Sequence, residues 1–174
     1  MNDVQVVAQI REGKTDAFGN IVEHYQLPIV RYVYRMTGDY EVAKDLTQDT
    51  FVAAYKGILK TDSNLSFKAW LYRIATNNAR QYHRKRKLLS FIPFSRLPEN
   101  SPVFQAPLGH IEDKLIINQV LSKVSHDQRI CMILHFVEGF KYREIADILG
   151  ITKDAVSKRV ARGSKQFQIL YGGG

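Results

Sequence analysis

The chain has 174 residues, 45% hydrophobic and 24% charged, a composition that gives room for one ordinary globular domain or two small ones. The opening stretch Met1 to Thr15 lacks the basic start and continuous apolar stretch of a signal peptide, and no window is an uninterrupted bilayer-length apolar run, so a cytoplasmic protein without membrane insertion is expected. One cysteine, Cys131, excludes an internal disulfide and, within ICMILHFV, reads as a buried structural thiol. The histidines lack ligand spacing, and P-loop, dinucleotide fingerprint and Ser elbow are all absent. No metal, cofactor or catalytic residue is assigned.

The net charge of +8 is unevenly distributed. Met1 to Asn78 is neutral, with nine basic and nine acidic residues; Ala79 to Arg96 has six basic and none acidic; Thr152 to Gly174 has five basic and one acidic. Two separated basic clusters are the footprint of a chain that touches a polyanion twice, since each Lys or Arg set against a phosphate releases a counterion. Either cluster alone is as well explained by a solvated or membrane-surface face.

In chain order, Val4, Val7 and Ile10 recur at helical spacing, as do Phe18, Ile21, Val22, Tyr25, Ile29, Tyr32, Val33 and Met36. Pro28 is expected to kink that helix or begin a new one, and Gly38-Asp39 to turn the chain. Val42, Leu46, Phe51, Ala54 and Ile58 form the next stripe, and Thr61 to Asn64 reads as a loop. Ser66 caps a long helix whose Phe67, Trp70, Leu71 and Ile74 face inward, Trp70 being read as core. The same helix continues through Asn77, Asn78, Arg80 and Gln81 into Arg84-Lys85-Arg86-Lys87.

Four of the five prolines fall between Pro93 and Pro107, which rules out regular helix and marks a linker. Its neighbours Phe91, Ile92, Phe94, Val103 and Phe104 are more apolar than a tether requires. Helical period resumes with Leu115, Ile116, Val120 and Leu121, then Ile130, Ile133, Leu134 and Val137, stopped by Gly139. Tyr142 to Leu149 is a short helix, Gly150-Ile151 a turn, and Thr152 the cap of a helix running towards Leu170; together these make a helix-turn-helix. Val156 and Val160 face its core. Ser157, Lys158, Arg159, Ala161, Arg162 and Lys165 fall on other faces, several with donors suited to purine acceptors and phosphate oxygens.

With these elements in place, the segments DYEVAKDLTQDTFVAAYKGI, FKAWLYRIATNNARQYHRKRK and FVEGFKYREIADILGITKDAVSKRVARGSKQF resemble, in order, the polymerase-binding helix, the promoter-melting helix and the helix-turn-helix of bacterial sigma factors. The short length resembles the extracytoplasmic-function (ECF) group. The resemblance implies an all-α fold of two small helical domains joined by a proline-rich linker: a region-two domain over 1–92, the linker over 93–111 and a region-four domain over 112–174. It implies that Asp45, Gln48 and Asp49, with Phe51 and Tyr55, dock on core RNA polymerase. The residues agree: Asp39 to Asp49 carries four acidic residues and one lysine, a face suited to a basic protein surface.

For the minus-ten element the matching positions are Leu65 and Ser66 with Asn77, Asn78 and Gln81, whose amides offer donor and acceptor to an unpaired base, while Arg80, Arg84, Lys85, Arg86 and Lys87 hold the backbone. For the minus-thirty-five element they are Thr152, Ser157, Lys158, Arg159, Ala161, Arg162 and Lys165. Promoter DNA, duplex and melted, and core polymerase are the partners implied, with an anti-sigma protein as the family's usual restraint. Two positions depart from the family: Lys141 stands where a small hydroxyl usually caps the first helix of the motif, and Asp154-Ala155 where Gly-Thr is frequent. The rival readings are an autonomous helix-turn-helix regulator, which leaves DLTQD and WLYRIATNNA without a purpose, an RNA-binding adaptor, for which no RNA module is present, and a membrane-surface protein.

The eighteen residues Pro93 to His110 reach roughly 60 Å when extended at about 3.3 Å each, more than a duplex turn of about 34 to 36 Å. Promoter activity measured as base pairs are inserted between two elements should therefore show a sharp optimum, because polymerase fixes both reading helices while each added pair rotates one site. Indifference to spacing would restore the single-motif regulator.

Overall fold

The computed structural model describes residues 2–60, 65–89 and 119–172, with backbone alone at 87–89. The linker, its apolar residues, Leu115, Ile116 and the loop 61–64 lie outside the described residues. The chain divides into two units, Met1–Leu97 and Pro98–Gly174.

The first unit contains α1 (Asp3–Arg11), α2 (Ala17–Thr37), α3 (Tyr40–Gly57) and α4 (Phe67–Leu89). Asn2 opens α1, its side-chain oxygen accepting from the Gln5 N–H. Helix α2 ends at Gly38, whose φ of 71° is the left-handed value a glycine adopts without a Cβ penalty. Asp39 then caps α3 by accepting from Val42 N–H at 3.1 Å. Pro28 does not begin a new helix; α2 is continuous through it. Ile21, Tyr25, Ile29, Tyr32, Val33 and Met36 are all buried on both sides of the proline, and that packed stripe holds the helix together across the missing N–H.

The inward face of α4 is centred on Ala69, Leu71, Tyr72, Ala75, Thr76 and Ala79, all essentially inaccessible. Phe67, Trp70 and Ile74, expected inward, are half-buried. The small side chains are decisive, because they let α4 lie close against its neighbours. Thr76 donates to the Tyr72 carbonyl at 2.6 Å, which uses its one proton. The Tyr32 hydroxyl at 2.6 Å from the same oxygen must therefore be the donor in that contact. Farther along, His83 Nε2 lies 2.8 Å from the Met36 carbonyl and ties the basic half of α4 to the end of α2.

In the second unit, residues 119–123 are helical, and α5 (His126–Met132), α6 (Tyr142–Leu149) and α7 (Lys153–Gly172) follow. Helix α5 runs on into a π-helical turn, Ile133–Val137. The wider turn carries an extra residue, so Ile133 and Leu134 stay buried while Phe136 and Val137 emerge 63% and 47% exposed; Val137 thus leaves the inward stripe that its spacing predicts. Arg129 spans the start of this unit from within, donating to the carbonyls of Ser122 at 2.7 Å and Val124 at 3.0 Å. Burial lowers its pKa.

The Tyr32–Thr76 bond gives a test. Thr76→Val leaves a buried phenol donor without its acceptor and should cost about 1 to 3 kcal/mol. Adding Tyr32→Phe should recover part of that loss, since the orphaned group disappears. Trp70, the single tryptophan, reports on unfolding of this unit in denaturant; equal and additive losses would deny the bond its role.

Candidate nucleic-acid interface

The three sequence-derived sites fall on α3, on α4 and on α6–α7. On α3, Asp45, Gln48, Asp49 and Tyr55 are exposed. Phe51 is not on that face. It is 8% exposed and meets Phe18 edge-on with ring centroids 6.5 Å apart. Two residues after Asp49 the helix has turned by about 200°, which carries Phe51 to the core side. Tyr55 also touches Phe18, at 5.1 Å, but remains 47% exposed. Val52, three residues after Asp49 and 52% exposed, adds an exposed apolar side chain to the acidic face; the signal for it in the sequence is the i, i+3 spacing from Asp49.

On α4 the expected group separates into parts. Ser66 caps the helix, its hydroxyl accepting from Ala69 N–H at 3.2 Å. Leu65 and Ser66 line an open pocket of about 340 Å³ together with Val4, Val7, Arg11, Ile58 and Trp70. Asn77, eleven residues on from Ser66, lies about 16 Å farther along at 1.5 Å per residue. One extruded base therefore cannot meet both. Asn77 and Gln81 share an exposed face, as their i, i+4 spacing requires. Asn78 is turned towards α3, donating from Nδ2 to the Thr50 hydroxyl at 3.1 Å. Arg84 and Lys85 are exposed, Arg80 and Arg86 half-buried, and the Arg86 guanidinium reaches the Tyr82 hydroxyl at 3.4 Å. The side chain of Lys87 lies outside the described residues.

In the second unit, α6 and α7 are joined by Gly150, φ 65°, in the left-handed region. The weak Lys141 cap is compensated: the Glu144 carboxylate accepts from the Lys141 backbone N–H at 2.8 Å. Thr152 caps α7, accepting from Ala155 N–H at 3.1 Å. Val156, Val160 and Gly163 are buried. A Cβ on Gly163 would come within 2.5 Å of Met132 Sδ and 3.2 Å of Gln128 Cβ, so this glycine lets α7 pass close to α5. Nothing in the hydrophobic spacing distinguished it. Opposite this face Asp154, Ser157, Lys158, Ala161, Arg162 and Lys165 are exposed. Arg159 turns back instead, half-buried, with its guanidinium 3.4 Å from the Asp127 carboxylate. One turn beyond Ala155 and flanked by two buried valines, position 159 lies at the edge of the core stripe, which is why it finds an internal partner.

A helical unit bearing an acidic-apolar face and a basic helix, joined to a unit that ends in a helix-turn-helix, defines a DNA-binding class of protein. Comparison with known families places it further: sigma-70 region 2 matches residues 21–88 and sigma-70 region 4 matches residues 114–167. The chain is 30% identical over 173 residues to the ECF RNA polymerase sigma factor SigW of Bacillus subtilis, covering 93% of this chain and 92% of that one. It is 27% identical to SigM of the same organism, with 88% and 94% covered. Among solved structures, the sigma factor RpoE in complex with the anti-sigma factor NepR from Bartonella quintana superposes with a TM-score of 0.74 at 26% identity, covering 88% of this chain and 97% of that one. CnrH, solved with the cytosolic domain of CnrY, shares the fold, with a TM-score of 0.75 at 24% identity and coverage of 98% and 97%. The chain belongs to the ECF sigma factors of the sigma-70 family and acts in promoter-specific transcription initiation. Among the described residues no helix is long and apolar enough to cross a membrane.

Phe51→Ala should cost about 3 to 5 kcal/mol of stability in the first unit, read by Trp70 fluorescence in denaturant, whereas Gln48→Ala should change it by no more than about 0.5 kcal/mol. A Phe51 variant that unfolds like the wild type would return that ring to the surface.

Proposed function

We propose that this sigma factor works by recruitment and not by catalysis, with three separate surfaces. Asp45, Gln48, Asp49, Val52 and Tyr55 form the polymerase-docking face of α3: the carboxylates steer towards a basic partner while Val52 and Tyr55 supply the apolar anchor. Phe51 supports this face from beneath. On α4, Asn77 and Gln81 read unpaired bases of the minus-ten element, and Arg80, Arg84, Lys85 and Arg86 hold the strand's phosphates, with Lys87 at the same end of the helix. Leu65 and Ser66, about 16 Å away, meet a different nucleotide. Asn78 acts indirectly, fixing α4 on α3 through Thr50.

On α7, Ser157, Lys158, Ala161, Arg162 and Lys165 face the minus-thirty-five element, and Thr152 seats the helix end against a phosphate. The observation that carries this reading is the division of α7 into a buried Val156–Val160–Gly163 side and an exposed polar side, at the place a recognition helix occupies. Residues 93–111 are the tether between a region-two domain over 1–92 and a region-four domain over 112–174. Work beside polymerase implies a cytoplasmic site of action. An anti-sigma protein is the proposed restraint, supported by the RpoE–NepR complex.

Purified core polymerase supplemented with this chain should give run-off transcripts only from promoters bearing both elements. Asp45→Lys with Asp49→Lys should reduce polymerase pull-down with the fold intact by circular dichroism. Arg162→Ala should cost roughly 1 to 3 kcal/mol at one promoter position, whereas Arg159→Ala should lower the melting temperature and leave base preference alone. Loss spread equally over all promoter variants would mark Arg162 as a phosphate contact only.

A further inference from the structure

Asp154 is the one acidic residue between Thr152 and Gly174. It lies in the first turn of α7, exposed, on the face that carries Ser157, Lys158, Ala161 and Arg162. An acidic side chain there has an ordinary purpose, complementing the positive helix end. That purpose is already served in part, because Thr152 accepts from Ala155 N–H. The Asp154 carboxylate forms no ion pair and no side-chain hydrogen bond among the described residues, although Lys153 adjoins it and Lys158 follows at i+4.

The N-terminal turn of a recognition helix is the part that reaches base edges. A carboxylate carried into the major groove faces repulsion from phosphates and from every base acceptor, N7 of either purine, O6 of guanine and O4 of thymine. It is tolerated where it meets an exocyclic amino donor, and cytosine N4 is the donor that Asp and Glu characteristically accept from. Lys158 and Arg162 supply guanine-reading and phosphate donors one and two turns on. We propose that Asp154 is a specificity-determining residue that reads a cytosine amino group in the upstream promoter element. The proposal rests on α7 being the recognition helix.

The test is run-off transcription by core polymerase reconstituted with the full chain, on a pool of promoters randomised through the upstream element, with the productive sequences counted. The wild-type factor should enrich cytosine at one position by roughly tenfold. Asp154→Gly should flatten that position and leave the others enriched. Asp154→Asn should move the preference to adenine, whose N6 and N7 match an amide. If both variants keep the wild-type profile, or raise transcription alike from every sequence, the carboxylate is a helix-end charge and the proposal is overturned. The reading of α7 fails separately: then the wild-type factor enriches no upstream base, and Arg162→Ala changes nothing. Enrichment that collapses with Arg162→Ala but survives Asp154→Gly overturns the inference and keeps the recognition helix.

Discussion

Both helices proposed to read DNA are seated on small side chains. In α4 the contact stripe includes Ala69, Ala75, Thr76 and Ala79 beside Leu71 and Tyr72, each at most 2% exposed; in α7 it includes Gly163, where one added carbon would collide with Met132. Small residues bring helix axes close, and close approach restricts sliding and rotation far more than a layer of long, adaptable side chains does. A side chain can discriminate bases only if its backbone is held to about half an ångström and a few tens of degrees. The alanine stripe and the glycine are therefore a precondition for reading, and the buried Tyr32–Thr76 bond fixes the register of α4 by being satisfied in one arrangement only.

That seating also decides which charges are available. A linear count of arginines and lysines locates the basic segments but exaggerates the surface they offer. Arg159 is drawn back to Asp127, and Arg129 is half-buried and donates to the backbone carbonyls of Ser122 and Val124. What remains outward on α7 is Lys153, Lys158, Arg162 and Lys165, the last three spaced at i, i+4 and i+7 on one side. Removing Arg159 from the outward set sharpens that face, because a guanidinium at the edge of the core stripe would otherwise compete for phosphates without reaching a base.

Much of this was legible in the sequence, and the failures share a cause. Helical period and capping residues placed the helices, and turn glycines at 38, 139 and 150 each adopt positive φ. The family was legible because charge and apolar spacing coincide with three ordered motifs. What could not be seen is angular position within a stripe. Hydrophobic spacing puts Phe67, Trp70, Leu71 and Ile74 on the inward face of α4; Leu71 is buried there, whereas Phe67, Trp70 and Ile74 are half-buried, and Leu71 and Tyr72 share the centre with Ala69, Ala75 and Ala79, which carry little hydrophobic signal. Phe51 was grouped with its acidic neighbours by sequence adjacency, though 100° per residue separates them. The π-helical turn moved Val137 outward because i→i+5 bonding is not encoded by any residue in the run. Contacts between residues far apart in the chain, such as Asn78 with Thr50 and Arg159 with Asp127, leave no local pattern.

The division of labour along α4 follows from the same geometry. The inward side of its first half is packed on α2 and α3, and the polar groups on that side form internal bonds: Thr76 to Tyr72, Tyr32 to Thr76, Asn78 to Thr50. From Asn77 onward the outward positions are amide or basic, and His83 ties this half to the Met36 carbonyl. A helix that is rigidly anchored at one end and cationic at the other suits a strand that must be held after it leaves its duplex. The anchored half resists the pull, and the cationic half gains affinity from released counterions without demanding a sequence. In the proposed reading, specificity depends on the few uncharged donors between the two halves, Asn77 and Gln81, which lie on one face one helical turn apart. Because Asn78 donates to Thr50, the amide that looks equivalent in sequence serves a different end in that reading: it holds α4 on α3 and so orients the two exposed amides.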